Sequence, residues 1–505
     1  MPHASAIRLH PEDDVEIALA DLRPGAVTAS GTTLVEAVPR GHKVAVHPIA
    51  PGALVRRYGQ IIGAATVGIP AGAHVHVQNL AMSDHPEDYA FASGALPLPV
   101  AEEARTFLGY RRADGRSGTR NYLGVLTSVN CSGSVARFIA EAAEKTDWFR
   151  AMSHVDGIVP IVHGSGCGMS GQDEGYATLF RTLQGYARNP NFAGILLVGL
   201  GCEVMQIPDL IGAARMRADG NFRYMTIQQT GGTRATVARG VEMLEEMAAK
   251  AEAARREPIP VSELVIGMQC GGSDGYSGIT ANPALGVASD LLVSHGGTTI
   301  LSETSEVYGA EHLLTRRAVS REVGEKLIER IRWWEDYTAR NKGEMNNNPS
   351  PGNKRGGLTT ILEKSLGAVA KGGSAPMRDV LLYAEPLREK GFVFMDSPGY
   401  DPCSVTGQVA TGANLIVFTT GRGSVSGYKP VPCIKIATNS EMYARMEGDM
   451  DINAGDVIDQ GVTLEAKGRE IFEAFIEVAS GRETKSEELG FGGAEFVPWQ
   501  IGAVM

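Results

Sequence analysis

Four apolar runs in this chain end in the same way. "YLGVLTSVNCSGS" presents Cys131, "GIVPIVHGSGCGM" Cys167, "GILLVGLGCEV" Cys202 and "LVIGMQCGGSDG" Cys270. Each is a near-continuous apolar stretch of the kind that forms a strand buried on both faces, followed by a cysteine with glycine beside or near it. These runs alternate with helical stretches such as "SVARFIAEAAEK" and "GVEMLEEMAAKAEAARRE", a pattern that specifies an α/β fold with parallel sheets. Ligands of open parallel sheets sit at the carboxyl ends of the strands, so the four cysteines are expected to converge on one crevice. Thiolates suit zinc or iron, including iron–sulfur clusters, and the absence of a CxxC disfavours a zinc ribbon. The plainer reading is that cysteine acts here as a small buried hydrophobe. Cys403 and Cys433 lack the pattern and read as core residues.

The chain of 505 residues is too long for one ordinary core. Residues 1–80 combine short alternating segments with "RPGA", "PRGH" and "APGA" turns, a small β-rich module. Residues 81–105 read as a linker, 106–257 as a first α/β half and 258–505 as a second. The stretch "MNNNPSPGNKRGG" (345–357) reads as an exposed loop that could serve as a lid. A net charge of −11 argues against a nucleic-acid or anionic-membrane partner. The N-terminus lacks a signal pattern and no apolar run approaches a bilayer span, so a cytoplasmic protein is expected. Six cysteines are too few for a disulfide scaffold.

Two histidines in "AGAHVHVQN", His74 and His76, are two residues apart and share a face on a strand, so both imidazoles can grip one cation. "RGHK" adds His42, and His163 shares its turn with Cys167. His47, His85, His154, His295 and His312 stand in no comparable context. Strand ends downstream carry polar groups: Ser273, Asp274 and Asn282 in "GGSDGYSGITANP", Glu303 in "SETSE", Lys354 in "PGNKRGG" and Arg422 in "TTGRG". Lysine or arginine beside glycine suits an anionic, hydroxyl-rich ligand. No GxxxxGK[ST] or strand-to-helix GxGxxG is present, which excludes the common nucleotide-phosphate loops.

With these motifs in view, the chain resembles the altronate/galactarate dehydratase family over nearly its whole length. The matching stretches include "RGHK", "YGQIIG", "HVH", "GYRRADGRSGTRN", "GCG", "GLGCE", "QCGGSDGYSGITANP", "SETSE", "NPSPGNK", "KSLGAVAKGGSAP", "TTGRG", "KIATNS" and "DINAG". The resemblance implies an N-terminal SAF-type domain before a large catalytic region. It implies dehydration of a hexonate or hexarate to a 2-keto-3-deoxy acid, with Fe2+ as the metal and no organic cofactor. "HVH" is altronate-like, whereas "HGSGCG" and "SETSE" lean towards galactarate-type sequences.

A metal on the substrate carboxylate and hydroxyl would stabilise the enediolate formed when the weakly acidic C2 proton leaves. The N-terminal module is expected to cap the strand-end crevice, with His42, His74 and His76 on metal or substrate. His163, Cys167, Cys202 and Cys270 would line the other wall, Lys354 and Arg422 would bind carboxylate, and Glu303 or a histidine would move protons. In a variant of this scheme, Cys131, Cys167, Cys202 and Cys270 hold an iron–sulfur cluster. A small sugar acid is the expected partner, and assembly of identical subunits is expected. The alternatives are elimination of sulfite from a sulfonated hydroxy acid, a carbohydrate-binding protein on an inert scaffold, and, more weakly, a metal-dependent hydrolase.

Overall fold

The computed structural model describes residues 5–83, 89–212, 221–270 and 272–502. The first of these segments carries two antiparallel sheets. One has the order Ala6–Ile7, Val15–Ala18, Lys43–Ala45, His74–Val75, and the other Leu54–Arg57, Gln60–Ala65, Leu80–Ala81. Within it, Ala6, Ala18, Leu22, Leu34, Val38 and Val44 close a small core of their own, but its other apolar residues do not. Val15, Ala45, Val55, Ile62 and Val75 belong to the same buried cluster as Ile266, Met268 and Leu285, far along the chain. This β module is therefore packed onto the rest of the molecule through a shared hydrophobic interior, which fixes its position.

Residues beyond the linker enter through Thr106–Arg111, which pairs antiparallel with Glu257–Pro260. Between these two strands lies a parallel sheet of order Ile158–Ile161, Tyr122–Thr127, Phe192–Gly199, Phe222–Thr226. Both faces are covered, and this explains the unbroken apolar runs. Leu123, Val125, Leu196 and Val198 meet residues of helices Gly133–Glu144 and Thr233–Glu252. Leu126, Ile195 and Leu197 meet Leu179 and Leu183 of helix Glu174–Arg188.

The third unit is a seven-stranded parallel sheet of order Met377–Leu381, Phe392–Met395, Thr298–Leu301, Val265–Gln269, Leu415–Thr420, Cys433–Ala437, Ile452–Asn453. Its first strand in sequence, Val265–Gln269, lies centrally. The chain then adds Thr298–Leu301 beside it, passes to the edge strand Met377–Leu381, fills in Phe392–Met395 between them, and returns to build outwards on the other side. The topological switch point thus falls between Val265–Gln269 and Leu415–Thr420, where such sheets open a crevice. No helix among the described residues is long and apolar enough to cross a membrane.

Residues 345–357 differ from the expected free loop. They form a short 3-10 turn and the helix Pro351–Arg355, started by a capping box at Ser350. Asn348 donates to the buried Glu306 and accepts from the buried Lys364, which anchors the segment from below.

Candidate active site

The histidine cluster follows from strand pairing. Lys43–Ala45 runs antiparallel to His74–Val75 with Val44 opposite His74, so His42 at the head of one strand arrives beside the HVH turn of the other. One nitrogen each of His42, His74 and His76 falls within a sphere of mutual distances no greater than 4.8 Å. His42 Nδ1 and His74 Nε2 are 2.9 Å apart. That is the spacing of two ligands each about 2.1 Å from one cation and at right angles. His42 Nε2 donates to the Arg355 carbonyl at 3.3 Å, which leaves the Nδ1 lone pair turned towards the cluster. His76 Nδ1 is buried without a hydrogen-bond partner. Burial and the neighbouring cations pull His74 down to about 4 and His76 to about 3, and burial lowers His42 as well. All three are therefore neutral at pH 7, the form that binds metal. The three imidazoles fit a divalent cation.

Behind the histidines, a fully buried ion triad locks the β module to the third unit. The Glu363 carboxylate accepts from Lys43 Nζ at 2.9 Å and from Arg57 Nη1 at 2.5 Å. Thr359 contributes both its N–H and its hydroxyl to the same carboxylate. Lys43 Nζ also donates to the Gly357 carbonyl, and Arg57 to the Gly275 carbonyl. Gly357 sits at φ +103°, and a Cβ there would stand 2.3 Å from the Gly41 carbonyl oxygen, so only glycine allows this approach.

Gly41 and Arg355 also border a cavity of about 150 Å³ between the β module and the third unit. Arg40, Arg355, Arg422 and Arg445 line it, together with Asp274, Tyr276 and Asn439. Asp274 accepts from the Ser277 N–H and hydroxyl, from Thr438 Oγ1 and from Asn439 Nδ2, so it serves to hold the wall. Arg40 is committed to Tyr276 and Asp459. Arg422 and Arg355 present guanidinium groups at the rim, a setting for carboxylate oxygens. The structure thus joins His42, His74, His76, Asp274 and Arg422 at one place. Arg355, not Lys354, borders the cavity. Arg40, Arg355 and Arg445 were missed, although Arg40 and Arg355 lie inside the quoted motifs "RGHK" and "PGNKRGG".

Other residues lie elsewhere. Ser273 Oγ bonds Thr420 and the Gly421 N–H, and Asn282 ties Thr419 to the Gly367 carbonyl, so both brace the crevice. Cys270 and Glu303 end adjacent strands of the seven-stranded sheet, and both adopt left-handed backbone, φ 62° and 69°. Glu303 is wholly buried, and its carboxyl is raised well above the usual carboxylate range by burial and by the Glu306 charge. Lys371 stands 3.7 Å from it and donates to the Cys270 carbonyl, while Lys364 pairs with Glu306 at 2.7 Å. Asp401, pushed up to about 6 by burial and Glu306, completes this buried charged group. Burial also raises the Cys270 thiol. Lys364, Lys371 and Asp401 had no sequence signal beyond lying in or near quoted motifs.

The four cysteines follow strands of two different sheets. Cys270 belongs to the seven-stranded sheet, whereas Cys131, Cys167 and Cys202 follow three strands of the four-stranded one. His163 follows a strand of the four-stranded sheet too, buried with Nε2 on the Thr127 carbonyl, and burial lowers it to about 4. It takes no part in the histidine cluster. His85 lies outside the described residues.

Comparison with known proteins agrees with this architecture. The altronate/galactarate dehydratase SAF domain matches residues 4–83, the D-galactarate dehydratase/altronate hydrolase second domain 109–252, and the D-galactarate/altronate dehydratase C-terminal domain 261–504. A galactarate dehydratase (L-threo-forming) of Escherichia coli is 38% identical over 501 residues, covering 97% of this chain and 95% of that protein. An altronate dehydratase of Bacillus subtilis is 36% identical over 497 residues, covering 96% and 97%. A (2R)-sulfolactate sulfo-lyase subunit beta of Chromohalobacter salexigens is 33% identical over 392 residues, covering 77% of this chain and 96% of that one. The dehydratase relatives over nearly the whole length mark the chain as a hydro-lyase. The chain belongs to the altronate/galactarate dehydratase family.

Proposed function

We propose that this enzyme removes water from a hexonate or hexarate to give a 2-keto-3-deoxy acid, with a divalent cation, Fe2+, held by His42, His74 and His76. The observation that carries the reading is the convergence of three neutral imidazoles beside a small cavity lined by four arginines. The names of the relatives, a galactarate and an altronate dehydratase, support the substrate class. The cation, when bound, supplies positive charge for the carboxylate and hydroxyl oxygens of the acid. The chain's own part is to orient the substrate. Arg355 and Arg422 hold carboxylate oxygens, Arg40 and Asp274 keep the cavity wall in register, and the buried triad keeps the β module closed over it. The Arg355 carbonyl holds the His42 ring in one tautomer, which places one lone pair towards the shared centre.

A screen of aldonates and aldarates, with ferrous iron and a reductant present, should yield keto acid from at least one. His74→Ala and His76→Ala should each lower turnover by more than about 100-fold while the protein stays folded. A folded His74→Ala/His76→Ala protein with undiminished keto-acid production would remove the histidines from the site. Because a sulfo-lyase subunit is also similar, sulfolactate belongs in the screen. Sulfite release without keto-acid formation from any sugar acid would favour that second reading.

A further inference from the structure

Cysteine is among the residue types most often buried. Cys403 and Cys433 obey the rule and Cys270 is half-buried, whereas Cys131, Cys167 and Cys202 are all exposed. These three do not lie at random. They follow strands Tyr122–Thr127, Ile158–Ile161 and Phe192–Gly199, three neighbours in the four-stranded parallel sheet, at the carboxyl edge where such sheets present their ligands.

The three loops are built onto one another. The Asn130 N–H donates to the Ser165 carbonyl at 2.9 Å and Asn130 Nδ2 to the His163 carbonyl at 3.2 Å. The Met205 N–H donates to the Gly166 carbonyl at 3.1 Å, so the loop of Cys167 touches those of Cys131 and Cys202. Gly166 crosses so close to Ser128 that a Cβ would stand 2.3 Å from the Ser128 carbonyl oxygen. A buried carboxylate underpins the arrangement: Glu203 accepts from Ser128 Oγ and from the Gly201 N–H, both at 2.6 Å. Gln228 Nε2 points at the Cys202 sulfur from 3.5 Å. Cys167 stands between two glycines of left-handed backbone, φ 97° and 64°, a backbone form that creates the anion-accepting hollows found around phosphates and iron–sulfur clusters.

The donor set and its spacing narrow the ligand. Thiolates select zinc, cuprous copper or iron–sulfur clusters. A single ion draws its ligand atoms together, and among the described residues only the three histidines are gathered in that way. An iron–sulfur cluster instead seats each thiolate on a different iron. The nearby histidine and carboxylate are already committed, His163 to the Thr127 carbonyl and Glu203 to Ser128 and Gly201. We propose that Cys131, Cys167 and Cys202 hold a four-iron cluster, a second metal centre in a different domain from the histidines, whose fourth iron lacks a protein ligand and is open to an oxygen of water or a hydroxy acid. The proposal does not rest on the histidine reading.

The test reads metal and sulfide rather than turnover. Protein stripped with chelator and then treated anaerobically with ferrous iron and sulfide should hold about four irons and four acid-labile sulfides at this centre. Cys131→Ser, Cys167→Ser and Cys202→Ser should each lose most of the sulfide, while Cys270→Ser and His74→Ala retain it. In wild-type protein, iodoacetamide should label all three thiols before reconstitution and none after it, a readout that needs no variant to fold. Absence of acid-labile sulfide after reconstitution, binding of zinc alone, or equal labelling in both states would overturn the proposal.

Discussion

Replacing Glu363 by glutamine keeps its shape but removes the one negative charge between Lys43 and Arg57. All three side chains are at most 1% exposed, so water cannot take over the lost interaction. Burial alone would raise the Glu363 carboxyl, yet Lys43 and Arg57 outweigh it and hold the group near 2, against an ordinary 4.5. A depression of that size corresponds to about 3 kcal/mol of folded-state stabilisation. Breaking a buried pair by removing one partner typically costs about 3–5 kcal/mol, which agrees. The sign follows from the direction of the shift. The contribution is complete above pH 4.5 and fades as pH falls from there towards 2. Because the triad ties the β module to the third unit, the variant should open there first. Hydrogen exchange of the Lys43–Ala45 strand at pH 7 should speed up by about 100-fold or more. Adding Lys43→Met should recover part of the loss by removing one of the stranded cations. Exchange within about twofold of wild type in Glu363→Gln would refute the account of how the module is held.

Two further outcomes follow from the same site. Arg422→Ala should raise KM for the sugar acid by about 10-fold, the lower end for a charged hydrogen bond at an exposed position, with partial recovery in Arg422→Lys and a weaker effect at high salt; an unchanged KM would place the carboxylate elsewhere. His74 and His76 are half-buried and neutral, lowered to about 4 and 3 against an ordinary 6.5. The unfolded chain therefore takes up protons that the native state refuses, and stability declines as pH falls from 6.5 towards 4. In chelator-treated protein, His76→Gln should flatten that decline in urea midpoints, and identical slopes would contradict the burial argument.

The reach of the sequence is clearest in the histidines. Spacing of two puts His74 and His76 on one face wherever they form a strand, since alternation is a local property of the backbone. His42 joins them only because its strand pairs with theirs, a contact between segments more than thirty residues apart that no local pattern encodes. Lys354 and Arg355 show the limit at finer scale. A rotation of about 100° per helical residue separates their directions, and only the docked position of the helix selects Arg355 for the cavity.

What the amino-acid order determined was the set of strand ends, the glycine turns beside them and the family to which the chain belongs. These depend on interactions among residues close in the chain, and on motifs that survive intact. The tertiary structure alone decided which strand ends became neighbours. It put Cys270 and Glu303 at adjacent strand ends of one sheet, with Lys371 against both, and left Cys131, Cys167 and Cys202 at the strand ends of another. Sheet membership is settled by which apolar faces bury each other across the whole molecule, and that choice is made only when the chain has collapsed.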